Sequence, residues 1–311
     1  MTPRNHPEDV ATPEIGRHGH RPSLESIDGR TSVTKLPNVR LSLSSRPENV
    51  LLVREMLTGV AEAIDLDRNE LDDIRTAVTE ACNNVVLHAY GHRTGPLRVE
   101  LHIATGAIEV MVGDHGGGIK PRIRAADEHA LGIGLSIIQA LTRRVEFSDV
   151  PAGGTEVRME FDAPGTRELE SLGEVGHEPP GAAHSESAAT TGITIAPTHL
   201  ARTVLPRVLC VLAARAHFST DRISDTQLVA DALVAHAPRS ISAGRLDVSV
   251  IVEPRNLRLR VGPLDPGSAQ RLITESTVDG LGSVIDTLVD DRQVATVASC
   301  EELALHLIDR R

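Results

Sequence analysis

The segment TEACNNVVLHAYG, residues 79–91, places a row of polar side chains within a helical pattern. Glu80, Asn84 and His88 are spaced so that successive members are rotated by only about 40° and rise by about 6 Å along a helix. The Glu80 carboxylate and the Asn84 amide oxygen can therefore reach one ligand. Mg²⁺ prefers such oxygen ligands, and a carboxylate beside a metal-bound phosphate can orient or deprotonate a nucleophile. A solvated helix face is the alternative interpretation of the same row.

A carboxylate and two glycine clusters further along the chain add to this pattern. Asp114 ends a predicted strand and precedes the glycines of DHGGG, which let a ligand approach the backbone closely. Its carboxylate can accept a hydrogen bond from an exocyclic amine, and adenine carries one. Gly132 and Gly134, in LGIGLS, stand at the start of a predicted helix, where free N–H groups favour phosphate. Thr155 can support Asp114 from a neighbouring strand. Ordinary turns and a common strand threonine are the alternatives.

The charge of the chain argues against nucleic acid as a partner. The formal net charge is -11, whereas binding to a phosphate backbone depends on clustered Lys and Arg. The sequence contains neither G-x-x-x-x-G-K-[ST] nor a G-x-G-x-x-G that follows a strand. Phosphate charge would therefore fall to Mg²⁺, to backbone amides and to Lys120, Arg122 and Arg124, which can equally be solvent-facing loop charges.

The N-terminal residues and the cysteines bear on the compartment. The start of the chain is polar and lacks the apolar core of a signal peptide, and no apolar run approaches the roughly 18 residues of a membrane span. Cys82, Cys210 and Cys300 are far apart and have no metal-like or redox-like spacing. We expect a cytoplasmic protein without a membrane partner, with the cysteines as small core residues.

Composition and periodicity divide the chain into four regions. Residues 1–35 are rich in Pro, His, Gly, Ser and charge, which is typical of a disordered tail. Residues 36–163 show regular apolar periodicity and form the predicted first domain. Residues 164–190 contain mainly Pro, Gly, Ala, Ser and Glu, as in a flexible linker. Residues 191–311 form the predicted second domain.

The first domain reads as strands separated by helices. A strand at NVRLSLSS is followed by a helix that Ser45 is predicted to cap, and by a second helix at about 68–89. PLRVELHIA and AIEVMVGD form a predicted hairpin, and RVEFSDV and TEVRMEF form two further strands after the helix LSIIQALTRR. This order predicts an α/β fold, more specifically an α+β two-layer sandwich with a mixed sheet covered by helices on one face.

The second domain repeats this order of elements, which predicts two tandem copies of one fold. DLDRNELDDIRT aligns with HFSTDRISDTQL at a constant offset. The same alignment places Ala232 where Glu80 stands and His236 where Asn84 stands, and Pro263 replaces Asp114. The second copy therefore lacks the polar set of the first and is predicted to be degenerate.

The ordered motifs Glu-x-x-x-Asn, Asp-x-Gly-x-Gly-Ile, Gly-x-Gly-Leu and Gly-Thr, over about residues 36–163, resemble those of the Bergerat ATP-binding fold of the GHKL superfamily. AVTEACNNVVLHAY is most similar to the RsbW-type anti-sigma-factor serine/threonine kinases. The resemblance implies ATP and Mg²⁺ as cofactors, Glu80 as the catalytic base and Asn84 as the Mg²⁺ ligand. It also implies a set of ATP-binding residues: Asn84, Asp114, Gly116, Gly118, Ile119, Gly132, Gly134, Leu135 and Thr155.

In such kinases the implied substrate is a serine of an anti-anti-sigma antagonist protein, and the other partner is a sigma factor held inactive. Asp114 would bind the adenine amino group, and residues 119–131 would form a mobile lid. A non-catalytic ATP-binding regulator, whose second domain mediates protein interaction, is the alternative function. Either a homodimer or an intramolecular pseudo-dimer of the two copies is compatible with the sequence.

Overall fold

The computed structural model describes residues 36–117, 128–150, 153–167, 169, 190–241, 244–278 and 282–310. The first half of this structure contains nine elements in chain order: β1 (Val39–Ser44), α1 (Asn49–Ala63), α2 (Arg68–Asn84), a π-helix (Val85–Ala89), β2 (Pro96–Ala104), β3 (Ala107–Asp114), α3 (Glu128–Leu141), β4 (Arg144–Asp149) and β5 (Thr155–Asp162). The predicted strands, the hairpin and the long second helix are all present.

The second half, residues 190–308, has a similar order of elements: β6 (Thr190–Ile195), a 3₁₀ helix (Thr198–Leu200), α4 (Ala201–Arg215), α5 (Thr220–Ser240), β7 (Leu246–Glu253), β8 (Asn256–Leu264), α6 (Ser268–Glu275), β9 (Thr277–Val278), β10 (Gly282–Ser283), α7 (Val284–Leu288), β11 (Asp291–Val297) and β12 (Cys300–Ile308). No helix in the described part of the chain is long and apolar enough to cross a membrane.

Ten of the described strands form one sheet, in the order β11-β12-β8-β7-β6-β1-β2-β3-β5-β4, and β9 and β10 form a separate pair. We expected a mixed sheet, and this was wrong, because every pairing among the described strands is antiparallel. The crossover through α3 does turn β4 into the direction of β3. The hairpin strand β5 then lies between β3 and β4, so each neighbouring pair is antiparallel.

Strands such as β1 and β5 bury alternate residues, and the helices of this α+β fold cover the buried side. In β1, Val39, Leu41 and Leu43 are buried in the same apolar cluster as side chains of α1 and α2. On the other side of the sheet, Arg40 Nε lies 2.8 Å from Glu100 Oε1. This alternation is what the pleat of a half-buried strand requires. The apolar cluster continues into the second half through residues of α4, α5, β7 and β8.

The starts of α1 and α2 differ in how their first N–H groups are satisfied. In α2, Asp67 is the N-cap, and it forms a capping box with Glu70. The prediction that Ser45 caps α1 was wrong, because the N-cap is Glu48 and no side chain caps it. A turn separates Ser45 from the helix, and the Ser45 hydroxyl instead accepts a hydrogen bond of 2.9 Å from the N–H of Gly95.

The two halves meet along β1 and β6 and between α1 and α4. Leu41 in β1 lies opposite Ile193 in β6, so the sheet continues from one half into the other. The helices approach closely at Gly59, where an added Cβ would lie 2.7 Å from the carbonyl oxygen of Thr203. Arg207 of α4 also pairs with two acidic residues of α1, at 3.7 Å from Glu55 and 2.6 Å from Glu62.

Candidate functional site

Helix α2 carries Glu80 and Asn84 along the border of its buried face. Its core side is formed by a helical series of apolar residues: Ile74, Ala77, Val78, Ala81 and Cys82. Glu80 and Asn84 lie next to that series and are half-buried. The packing of the apolar side against the sheet therefore fixes the orientation of the helix and the direction in which the two polar side chains project.

Gly134 of α3 brings a second element against these side chains. A Cβ added at Gly134 would lie 3.0 Å from Glu80 Oε2 and 3.9 Å from Asn84 Oδ1. Both oxygens therefore point to the same small volume, which the missing side chain of Gly134 leaves open. The structure thus brings together three of the residues singled out in the sequence.

The position of the glycines within α3 differs from the prediction. We expected Gly132 and Gly134 at the start of a helix, with free N–H groups, but α3 begins at Glu128. Both glycines therefore lie inside the helix, where backbone N–H groups bond to carbonyls of the preceding turn. What Gly134 contributes in this conformation is space beside Glu80. Its role in phosphate binding, and that of Gly132, stay predictions.

Asp114 lies at the end of β3 and is almost fully buried, with 5% of its surface exposed. The Gly116 N–H donates a hydrogen bond of 2.7 Å to its Oδ1, and the backbone of Thr155 also donates to the carboxylate. Burial raises the pKa of Asp114, and these hydrogen bonds oppose that rise. A carboxylate has about four acceptor positions, so two backbone donors leave capacity for a further donor. Thr155 itself is buried beside it.

Two glycines near Asp114 are required by close backbone approaches. A Cβ at Gly116 would lie 2.2 Å from the carbonyl oxygen of Ala89, and one at Gly154 would lie 2.0 Å from the carbonyl oxygen of Asp114. Gly154 also has a φ of +110°, which side-chain-bearing residues rarely adopt. In the sequence, Gly154 is included only as the glycine of the Gly-Thr motif and has no role of its own. The Gly-Gly pair before Thr155 was the signal that could have identified it.

A π-helix of five residues, Val85–Ala89, continues α2 directly after Asn84. Single π-helical turns within helices occur often at functional sites. Here the last residue of the π-helix contacts the loop that follows Asp114: the Gly117 N–H donates a hydrogen bond of 3.0 Å to the Ala89 carbonyl oxygen. His88 is exposed on this turn.

Some predicted site residues cannot be placed in this arrangement. Gly118 and Ile119 lie outside the described residues, as do Lys120, Arg122 and Arg124. Leu135 follows Gly134 on α3 and is 38% exposed. The described candidate residues therefore form two groups: Glu80, Asn84 and Gly134 where α2 meets α3, and Asp114, Gly116 and Thr155 at the end of β3.

The corresponding region of the second half is built differently. His236 is aligned with Asn84, and its Nδ1 lies 4.0 Å from Oε2 of Glu275 in α6. The side chain next to His236 is therefore one of the protein's own carboxylates. Helix α6 begins soon after β8, and the Glu301 carboxylate accepts hydrogen bonds from the N–H groups of Gly267 and Ala269 at 2.8 and 3.0 Å. Leu272 of α6 is buried. A side chain of the protein thus takes the donors at this helix start.

Comparison with known proteins identifies a family for the first half. The family described as histidine kinase-like ATPase domain matches residues 43–161. The anti-sigma F factor of Caldanaerobacter subterraneus subsp. tengcongensis is 30% identical over 129 residues, which cover 39% of this chain and 90% of that protein. The serine-protein kinase RsbW of Bacillus pumilus is 29% identical over 123 residues, which cover 35% of this chain and 76% of that protein. Two crystal forms of TP0453 cover 90% and 91% of this chain, and 94% and 92% of theirs, at 11% identity, with TM-scores of 0.31 and 0.32, too low to indicate a common fold.

The family match thus identifies residues 43–161 as a histidine kinase-like ATPase domain. The chain belongs to the anti-sigma factor and RsbW family of these ATPases, to which it is distantly related over about two fifths of its length.

An ATPase domain of this kind implies ATP binding, and the residues present fit that ligand. Glycine leaves room beside the Glu80 and Asn84 oxygens, and the buried Asp114 carboxylate retains acceptor capacity for a further donor. Carboxylate and amide oxygens are also suitable ligands for Mg²⁺.

Proposed function

We propose that the protein is an ATP- and Mg²⁺-dependent serine/threonine kinase that acts as an anti-sigma factor. The observation that carries the proposal is the meeting of the Glu80 and Asn84 oxygens beside Gly134, within a domain of this family. Both oxygens face a position of the second helix that has no side chain, which leaves room for a ligand. The substrate in this proposal is a serine of an anti-anti-sigma antagonist protein, and the sequestered partner is a sigma factor.

In this proposal, the metal-binding and adenine-binding roles belong to two separate groups of residues in the first half. Asn84 would hold Mg²⁺ through its amide oxygen, and Asp114, supported by Thr155, would accept a hydrogen bond from the adenine amine. Gly116, Gly132, Gly134 and Leu135 would complete the binding surface, together with Gly118 and Ile119, which lie outside the described residues. Bound ATP would supply the transferable phosphoryl group. Glu80 accepts the proton of the serine hydroxyl, and the products are phosphoserine and ADP.

The kinase proposal is tested with the full chain, labelled ATP, Mg²⁺ and candidate antagonist proteins from the same genome. Glu80→Gln keeps the size of the side chain and removes the base, so transfer to serine should fall by about 100-fold or more, while nucleotide binding is retained. Glu146→Gln, on the exposed strand β4, is the matched control and should behave as wild type. Nucleotide binding with no transfer to any antagonist would contradict the kinase and favour the non-catalytic ATP-binding regulator.

We further propose that the second half is a degenerate copy of the first and serves as its built-in partner, with residues 36–163 and 191–311 as the two domains and 164–190 as their linker. Three observations support the duplication. Asp65 and His217, which the alignment pairs, both have a positive φ. Asp67 and Ser219 follow as side-chain N-caps of α2 and α5. The strand order of the sheet is also the same when read outward from either side of the β1–β6 junction.

The junction also has the arrangement expected of a pseudo-dimer. Leu41 and Ile193 occupy equivalent positions in the two copies and lie directly opposite each other, as residues on a two-fold axis do. In the same alignment Arg207 is the counterpart of Glu55, and the two side chains lie 3.7 Å apart. Two identical first halves joined in this way would bring Glu55 against Glu55. The charges at this interface therefore favour the unlike pair.

A cysteine pair tests whether the halves of one chain meet in this way. Ser42 and Gly192 are opposite each other in the β1–β6 register, a separation that a disulfide can span. The double variant Ser42→Cys with Gly192→Cys should form an intrachain disulfide under mild oxidation, visible as a faster-migrating monomer on a non-reducing gel. Ser42→Cys alone is the control. Predominant disulfide-linked dimers of two chains would contradict the built-in partner.

A further inference from the structure

Tyr90 lies where the helix that carries Glu80 and Asn84 ends and contacts residues 115–117, directly after Asp114. It is the single tyrosine of the chain, which has no tryptophan, and it follows the π-helix directly. Its ring packs against the apolar core and fits against Gly95, where an added Cβ would lie 2.2 Å from the ring. Neither the sequence motifs nor the proposed chemistry gave this residue a role.

The Tyr90 hydroxyl joins the first residue of β2 to the residue after β3. It accepts a hydrogen bond of 2.7 Å from the N–H of His115 and donates one of 2.5 Å to the carbonyl oxygen of Pro96. Leu97 lies opposite Asp114 in the β2–β3 register. Pro96 and His115 therefore follow as the next opposed residues, just beyond the last hydrogen-bonded pair of the two strands. The hydroxyl therefore serves both backbone groups at the point where the strands separate, one residue beyond Asp114.

A second contact, on the neighbouring residue, ties the same two segments. The Gly117 N–H donates to the Ala89 carbonyl oxygen, and Gly116 lies so close to that oxygen that no side chain fits. Ala89 and Tyr90 thus hold the backbone from residue 115 to 117 at two adjacent points. The end of the helix that carries Glu80 and Asn84 is in this way attached to the loop that supplies a hydrogen bond to Asp114.

We propose that Tyr90 is a positioning residue for recognition of the nucleotide base. It sets the position of the Asp114 carboxylate relative to Glu80 and Asn84, so that the adenine amine is accepted by Asp114 while the phosphates lie at the other end of the site. This inference rests on the proposed ATP-binding function. It predicts a specific loss of preference for adenine when the hydroxyl is removed, rather than a general loss of binding.

The test compares Mg²⁺-ADP with Mg²⁺-inosine diphosphate, which lacks the exocyclic amine, by calorimetry on the full chain. Tyr90→Phe keeps the ring against Gly95 and removes both hydroxyl hydrogen bonds. We expect the wild type to prefer ADP, and we expect Tyr90→Phe to reduce that preference about 3- to 10-fold, as for the loss of one or two neutral hydrogen bonds. Thr58→Val removes a hydroxyl that bonds the Arg54 carbonyl in α1 and should leave the preference unchanged.

The outcomes separate this inference from the proposed function. An unchanged ratio of the two dissociation constants in Tyr90→Phe, or equal weakening of both ligands, would overturn the positioning role and leave ATP binding standing. Failure of the wild type to bind ADP would overturn the proposed function itself. If Tyr90→Phe does not fold, the emission of the single tyrosine in the wild type decides: it should change on saturation with ADP more than with inosine diphosphate, and an equal or absent change would refute the role.

Discussion

Replacement of Gly134 by alanine should separate the stability of the protein from its activity. The new Cβ would lie 3.0 Å from Glu80 Oε2, which is tighter than nine in ten real Cβ contacts, so the carboxylate must move by a few tenths of an ångström. Misplacement of a catalytic group by about 1 Å can cost about 100-fold, and we therefore expect the rate of phosphoryl transfer to fall about tenfold. Gly134 lies inside α3, where alanine stabilises a helix by about 1 kcal/mol relative to glycine.

Two measurements on Gly134→Ala check this reasoning. Thermal unfolding should show an unchanged or higher midpoint, by up to about 2–4 °C for a chain of this size. Phosphoryl transfer from labelled ATP, measured on the same preparation, should decrease. Gly165→Ala is the matched control, because an added Cβ there meets no atom within 4 Å. Full activity in Gly134→Ala would refute the assignment of the space beside Glu80 to the active site.

Three further outcomes follow from the geometry. Gly154→Ala should lower the free energy of unfolding by about 2 kcal/mol or more in urea titrations. The reason is that φ at this position is +110° and the new Cβ would lie 2.0 Å from the Asp114 carbonyl oxygen. An unchanged unfolding midpoint would contradict this prediction. Asp67→Ala removes the capping box and should cost about 1 kcal/mol of stability while ADP affinity stays constant, which urea titration and calorimetry can check together. Burial raises the pKa of Asp114 in the folded state, so the folded protein holds that proton to higher pH than the unfolded chain does. Stability should therefore fall as the pH rises above the ordinary pKa of 3.8. Asp114→Asn should remove this part of the pH dependence and weaken ADP binding, and an unaltered pH profile would contradict the predicted sign.

The sequence predicted the elements well where periodicity and turn residues agree. Strands β2 and β3 follow directly from alternating apolar residues on either side of a Thr-Gly turn, and α2 from its apolar row. The sequence could not show that the sheet is antiparallel throughout, because this depends on β5 lying between β3 and β4. The order of residues in the chain does not determine that choice.

The site was predictable in its residue types and less so in its contacts. Glu80, Asn84 and Asp114 stand out as polar groups in apolar patterns. The helix start before Gly132 and Gly134 was misplaced because element boundaries respond to tertiary packing as much as to local sequence. Tyr90 was missed, and Gly154 was given no role, because their importance comes from close contacts with backbone groups of other segments, at Pro96, His115 and Asp114.

The number of nucleotides bound per chain shows whether ATP binds in the first half alone. Calorimetric titration of the full chain with Mg²⁺-ADP should give one site per chain, and Asp114→Asn should weaken that site, because the first half carries the polar set and the second half lacks it. A stoichiometry of two per chain would contradict the degenerate second half. A stoichiometry of zero would contradict the ATP site itself.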